Sequence, residues 1–215
     1  MQRRIEALLF DLGRVVIDLD QARAHARWAE LARVPMRDIA ALVRERVFAK
    51  EVYCRHERGE ISDAQFFAHL RQQLNLTLSD AQFVDGWNSI FIGEIAGIRR
   101  LLANLQGRLP LYAFSNTNAA HHAYWSRHFR DLLAPFRKLY LSHEIGARKP
   151  EPAAFRTVVA DMGLAPERVL FFDDSAENVA GARASGLMAV EVTSAAQIEA
   201  ALSDFGVRAV GGQPP

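Results

Sequence analysis

Five polar side chains, spread over most of the chain, are expected at or just beyond the carboxyl ends of short apolar runs. Asp11 closes Ile5 to Phe10, Ser115 follows Leu109 to Phe114, and the pair Asp173 and Asp174 ends Val169 to Phe172, while Lys149 sits in Ala147-Arg148-Lys149-Pro150. A carboxylate such as Asp11 can attack as a nucleophile and split one hard substitution into two easier ones. Two adjacent acids after an apolar run repel each other unless a cation sits between them. An ammonium and a hydroxyl can hold the oxygens of an anion. Phosphoryl transfer needs that inventory, because it depends mainly on positioning and charge neutralisation. Carboxylate and phosphate are both anionic, and Mg²⁺ bound through one or two carboxylates relieves the repulsion. Taken singly, each residue has a plainer role: an Asp after a strand forms a turn, a Ser caps a helix, a Lys before Pro is a surface charge.

The elements that must position these groups are legible as two periods. The runs Ile5–Phe10, Leu109–Phe114, Lys138–Leu141, Val169–Phe172 and Leu187–Val192 are apolar enough for buried central strands, and helical patterns separate them. Phe155, Val158, Val159 and Met162 share one helical face, with Pro152 near the start and Gly163 just past the end. The alternation predicts an α/β fold, a doubly wound parallel sheet, whose ligands bind at the carboxyl edge of the strands. Residues 19–91 break the alternation with helical periodicity and no convincing strand. Ser62 with Gln65 and Ser79 with Gln82 are capping-box signatures inside it. The segment predicts a four-helix insertion, leaving residues 1–18 and 92–210 as the core and 211–215 as a disordered tail. Gly93 and Gly97 at its exit are candidate hinges, with a plain loop the favoured role for either alone.

Composition narrows the function classes. The 215 residues are 50% hydrophobic, enough for a real core, and 26 basic side chains nearly cancel 25 acidic ones, so no basic field points to nucleic acid or membrane. A single cysteine, Cys54, excludes an internal disulfide and suits a reducing compartment. The apolar stretch after the N-terminal arginines is too short for a signal or membrane segment, and the expected location is cytoplasmic. The neighbours His121 and His122 do not share a helical face and are expected to be solvated. Trp28, Trp87 and Trp125 are expected in the core.

Phe10-Asp11-Leu12-Gly13 with Val15-Val16-Ile17, then Ser115-Asn116-Thr117-Asn118, Arg148-Lys149-Pro150 and Phe171-Phe172-Asp173-Asp174, follow the four-motif order of the haloacid dehalogenase superfamily, and nearly the whole chain resembles it. Within it the motifs look most like small phosphatases acting on α-D-glucose 1-phosphate, and His56-Glu57-Arg58-Gly59-Glu60-Ile61-Ser62 adds to that likeness. The resemblance implies Asp11 as nucleophile. It implies Mg²⁺ held by Asp11, the carbonyl of Gly13, Asp174 directly and Asp173 directly or through water. Lys149 would then neutralise phosphate charge, Ser115 and the backbone N–H of Asn116 would bind its oxygens, and the insertion would be a cap closing over a small sugar phosphate. His56, Glu57 and Arg58 would either meet a sugar hydroxyl or form a polar turn.

Two positions depart from the pattern. Most such phosphatases carry a second Asp, the general acid and base, where this chain has Gly13, although the closer relatives share the Gly. They usually carry Asn where this chain has Arg14. Asp18 and Asp20 are candidate substitutes, with a turn or a role at the entry to the insertion favoured. Two other readings stay open: a metal-independent hydrolytic dehalogenase, and a non-enzymatic protein binding a phosphate ligand or a partner. Retention of Asp11 argues against the last, since binding alone needs no nucleophile.

Overall fold

The computed structural model describes residues 4–46 and 51–207. The disordered tail expected at 211–215 lies outside them. Among the described residues there are seven strands: β1 (Ala7–Phe10), β2 (Ile17–Leu19), β3 (Phe91–Glu94), β4 (Leu111–Ser115), β5 (Lys138–Leu141), β6 (Val169–Asp173) and β7 (Met188–Glu191). Five of them form one sheet in the order β5-β4-β1-β6-β7, every pair parallel. The order places β1 at the centre, so its carboxyl end, where Asp11 follows, lies between the ends of β4 and β6.

Both faces of the sheet are covered, which is why its strands read as continuous apolar runs. Leu8, Phe10, Leu111, Ala113, Leu170 and Phe172 pack on one side against α6 (Ile98–Leu105) and α12 (Ala195–Asp204), with α7 (Ala119–His128) and α8 (Arg130–Leu133) at the margin. Their strand neighbours Ala7, Leu9, Tyr112, Phe114, Val169 and Phe171 point to the other side, against α10 (Pro152–Met162) and α11 (Ala176–Ala184). The short α9 (Ser142–Ile145) follows β5 directly. Helix α10 ends as the sequence predicts, with Gly163 at φ 67°.

Between β2 and β3 lies the helical insertion, with five helices among the described residues where the sequence predicts four: α1 (Ala22–Ala32), α2 (Met36–Arg46), the short α3 (Glu51–Glu57), α4 (Asp63–Leu74) and α5 (Asp80–Asn88). Both capping boxes form, Ser62 with Gln65 and Ser79 with Gln82. The insertion has its own core around Trp28, Phe66, Phe67, Phe83 and Trp87, into which Ala120 of α7 also projects. It is joined to the sheet domain through the antiparallel pair β2–β3, so the boundaries expected near residues 18 and 91 fall within that pair. Gly97 takes φ 81° at the start of α6, just beyond it. Among the described residues no helix is long and apolar enough to cross a membrane.

Candidate active site

The parallel sheet delivers Asp11, Ser115 and Asp173 to one edge, because each follows or ends a neighbouring strand. Lys149 reaches the same edge from the loop after α9 and is only 1% exposed. Its ammonium lies 2.7 Å from Oδ1 of Asp11 and 2.6 Å from Oδ2 of Asp173. The backbone that presents it is clamped by Asn116: the Asn116 Nδ2 donates to the Lys149 carbonyl at 2.9 Å, and its Oδ1 accepts from the Lys149 N–H at 2.8 Å. The side chain of Asn116 therefore positions Lys149, a role additional to the backbone one the resemblance implies.

Asp173 is fully buried and its acceptors are taken. Oδ1 accepts from the Ser175 N–H at 2.9 Å and Asn178 Nδ2 at 3.0 Å, while Oδ2 accepts from Lys149. Asp174 is more open and carries one ion pair, with Arg14 at 3.7 Å. One carboxylate oxygen from each of Asp11, Asp173 and Asp174 lies within 4.8 Å of the others, a spacing that suits a hard cation with oxygen ligands. Asp11 and Asp174 are the pair with free lone pairs, whereas Asp173 is better placed to fix Lys149.

The electrostatics of the protein alone point the same way. Burial pushes the Asp11 carboxyl up to about 7, with the Lys149 ammonium pulling down and the Asp173 charge adding to the rise. Burial also raises Asp174, helped by Asp173 and opposed by Arg14. For Lys149, burial works against the charge, but Asp11 and Asp173 outweigh it and hold the ammonium above its ordinary value. Three carboxylates around one buried ammonium form a site that a divalent cation would complete.

A cavity of about 200 Å³ opens over these groups, below the ~300–1,000 Å³ usual for drug-sized ligands. Asp11, Gly13, Ser115, Asn116, Lys149 and Asp174 line its floor, and Gln21, Tyr53 and Ile90 of the insertion, with Leu19 of β2 and Phe91 of β3, form part of its wall. Gly13 is tight there: a Cβ would stand 3.0 Å from the tip of Leu19 and 3.9 Å from Oδ2 of Asp11. Arg14 adopts φ 59°, the left-handed region in which Asn is better tolerated than Arg. Asp18 and Asp20 do not line the cavity. Asp20 instead accepts the Ala22 N–H at 2.8 Å at the start of α1.

One expectation changes, and one left open is narrowed. His121 is buried rather than solvated: it stacks on Trp87 with ring centroids 4.8 Å apart, its Nδ1 lies 3.0 Å from Oδ1 of Asn88, and it lines the cavity. Burial drives its pKa down to about 3, so the ring is neutral. His122 keeps partial exposure, 3.6 Å from Glu144. His56 and Arg58 do not line the cavity. His56 is 2% exposed, stacked on Phe66 and 2.7 Å from Asp63. All three tryptophans are buried as expected, and Trp125 also forms cavity wall.

The family model for haloacid dehalogenase-like hydrolases matches residues 5–186. The chain belongs to that family. It is 26% identical over 182 residues to the D-ribitol-5-phosphate phosphatase of Bacteroides thetaiotaomicron, covering 81% of this chain and 85% of that protein. It is likewise 26% identical to the drimenol cyclase of Aspergillus calidoustus over 86% of this chain, which spans only 34% of the cyclase. Among solved structures, a haloacid dehalogenase family enzyme from Bacteroides thetaiotaomicron, in complex with magnesium and inorganic phosphate, superposes with a TM-score of 0.76 at 28% identity. That alignment covers 89% of this chain and 96% of the enzyme.

Proposed function

We propose that this protein is a Mg²⁺-dependent phosphomonoesterase acting on a small sugar phosphate, with Asp11 as nucleophile and the helical insertion as its cap. The observation that carries the reading is the buried Lys149 ammonium shared by Asp11 and Asp173, with Asp174 open beside them at the carboxyl edge of the sheet. Similarity to a sugar-alcohol phosphatase and to an enzyme holding magnesium and phosphate supports it. Asp11, Asp174 and the Gly13 carbonyl would hold the metal, which would neutralise phosphate charge and let the Asp11 carboxylate approach. A metal-independent dehalogenase is less suited, because the open Asp174 beside Asp11 has a use mainly as a cation ligand.

Chemically, Asp11 attacks phosphorus and the P–O ester bond breaks, the departing oxygen taking a proton from solvent; water then attacks the aspartyl phosphate, gives up a proton, and returns the free carboxylate and inorganic phosphate. Lys149 balances the charge of the transferring group while Ser115 and the Asn116 N–H hold its oxygens. His121, neutral and fixed by Asn88, is a cavity-wall group for substrate hydroxyls. Gly13 provides no acid beside the leaving oxygen, and acid–base help is worth roughly 10²–10⁴-fold. Substrates whose oxygen departs readily are therefore favoured, and an anomeric oxygen departs more readily than a primary alcohol. A phosphate-release screen over sugar 1-phosphates and their 6-phosphate counterparts, with Mg²⁺ and with chelator, tests the reading. Release should need the metal and favour the 1-phosphates; full activity in excess chelator contradicts the metal role, and faster 6-phosphate turnover contradicts the leaving-group argument.

A further inference from the structure

The segment from His56 to Ser62 stands out in the sequence, yet its charges turn away from the cavity. Glu57, at the end of α3, has a side chain only 5% exposed and accepts a hydrogen bond from Nε of Arg148 at 2.6 Å. Beside it, Arg58 donates through Nη1 to Glu151 at 3.0 Å, and its other nitrogens are held by Glu60 and Glu51. The insertion thus presents an acid then a base, and the loop presents a base then an acid. The two loop partners stand immediately before Lys149 and immediately after Pro150. The turn that follows lies hard against α9: Gly59 has φ 69°, and a Cβ there would meet the His143 carbonyl oxygen at 2.2 Å. Tyr53, one turn before Glu57 and hydrogen-bonded to it, lines the cavity.

We propose that Glu57 and Arg58 are positioning residues: with Arg148 and Glu151 they form a two-pair clasp that fastens the insertion to the Lys149 loop and holds the ammonium between Asp11 and Asp173. Asn116 clamps the backbone of Lys149 from the sheet side, and the clasp clamps the same four-residue stretch from the insertion side. A displacement of about 1 Å in such a group costs on the order of 10²-fold in rate. Docking of the insertion and readiness of Lys149 are then one event, with Tyr53 linking the clasp to the cavity. The kinetic consequence rests on the phosphatase reading; the structural one does not.

Two double-mutant cycles on the full chain decide it, Glu57→Gln with Arg148→Met and Arg58→Met with Glu151→Gln. Each variant is assayed for kcat and KM on the phosphate ester that the wild type turns over fastest, and for amide hydrogen exchange across residues 145–151. The clasp predicts faster exchange in that stretch, kcat lowered on the order of tenfold with KM less affected, and each double no worse than its worse single. Unchanged exchange in every variant, or losses that simply add, would overturn it. The Arg58 and Glu151 variants lie at the more exposed pair, with side chains 17% and 35% exposed, and keep the test decisive if the buried pair's variants fail to fold. A wild type that releases no phosphate from any ester, while exchange still shows coupling, defeats the phosphatase reading and leaves the clasp standing.

Discussion

Single residues in this protein carry opposing demands, and Arg14 shows the trade most plainly. Its left-handed backbone costs an ordinary side chain roughly 1 kcal/mol, while its half-exposed guanidinium reaches Asp174 at 3.7 Å, a pairing worth little in water. Arg14→Asn is therefore expected to stabilise the fold by roughly 1 kcal/mol in urea unfolding; a loss of stability would mean the guanidinium matters more than the backbone. His121 makes a pH-dependent prediction. Its folded pKa of about 3 lies below the ordinary 6.5, so between those values the unfolded chain takes up a proton that the folded chain refuses. The stability that the buried neutral ring allows is complete above about pH 6.5 and is lost on acidification, by at most about 1.4 kcal/mol per pH unit. Unfolding of a His121→Phe variant across that range should show a flatter slope than the wild type, and an identical slope would show that the ring is not the group responsible.

At the scale of elements, the site depends on how α11 meets the Lys149 loop. A Cβ on Gly181 would stand 2.6 Å from the Pro150 carbonyl oxygen, a backbone atom that cannot swing aside. Gly181→Ala is expected to cost roughly 1–3 kcal/mol and to lower turnover as well, because the shifted backbone carries Lys149; urea unfolding and steady-state kinetics read the two effects, and a fully stable, fully active variant would contradict the packing argument. The five core strands were legible in sequence because burial on both faces leaves no polar alternation to obscure them. The pair β2–β3 was not: its strands have three and four residues, Ile92 is 53% exposed, and neither a run nor an alternation emerges. The placement of Asp11, Ser115 and the Asp173–Asp174 pair was legible because a strand end betrays itself locally, whereas Lys149 comes from the loop after α9 and no strand end marks it. The burial of His121 was not, since it is decided by Trp87 and Asn88, 34 and 33 residues away in sequence. The partners of Glu57 and Arg58 were hidden for the same reason, at separations of 91 and 93 residues.

At the scale of the molecule, two of the three hydrophobic cores, the one on the α6 and α12 side of the sheet and that of the insertion, meet at one cavity, the sheet edge supplying the charged floor and the insertion part of the wall. As the proposed cap, the insertion would exclude water from that floor. Everything proposed for it converges on a covalent step at Asp11, and the absence of an acid at position 13 should slow the second half of that step. Mass spectrometry of the protein, acid-quenched during turnover of a sugar 1-phosphate with Mg²⁺, tests this most directly. The account predicts a gain of one phosphoryl group on the peptide containing Asp11, absent from an Asp11→Asn variant that also fails to turn over. Continued phosphate release by that variant, or steady turnover of the wild type with the phosphoryl group on any other residue, would contradict it.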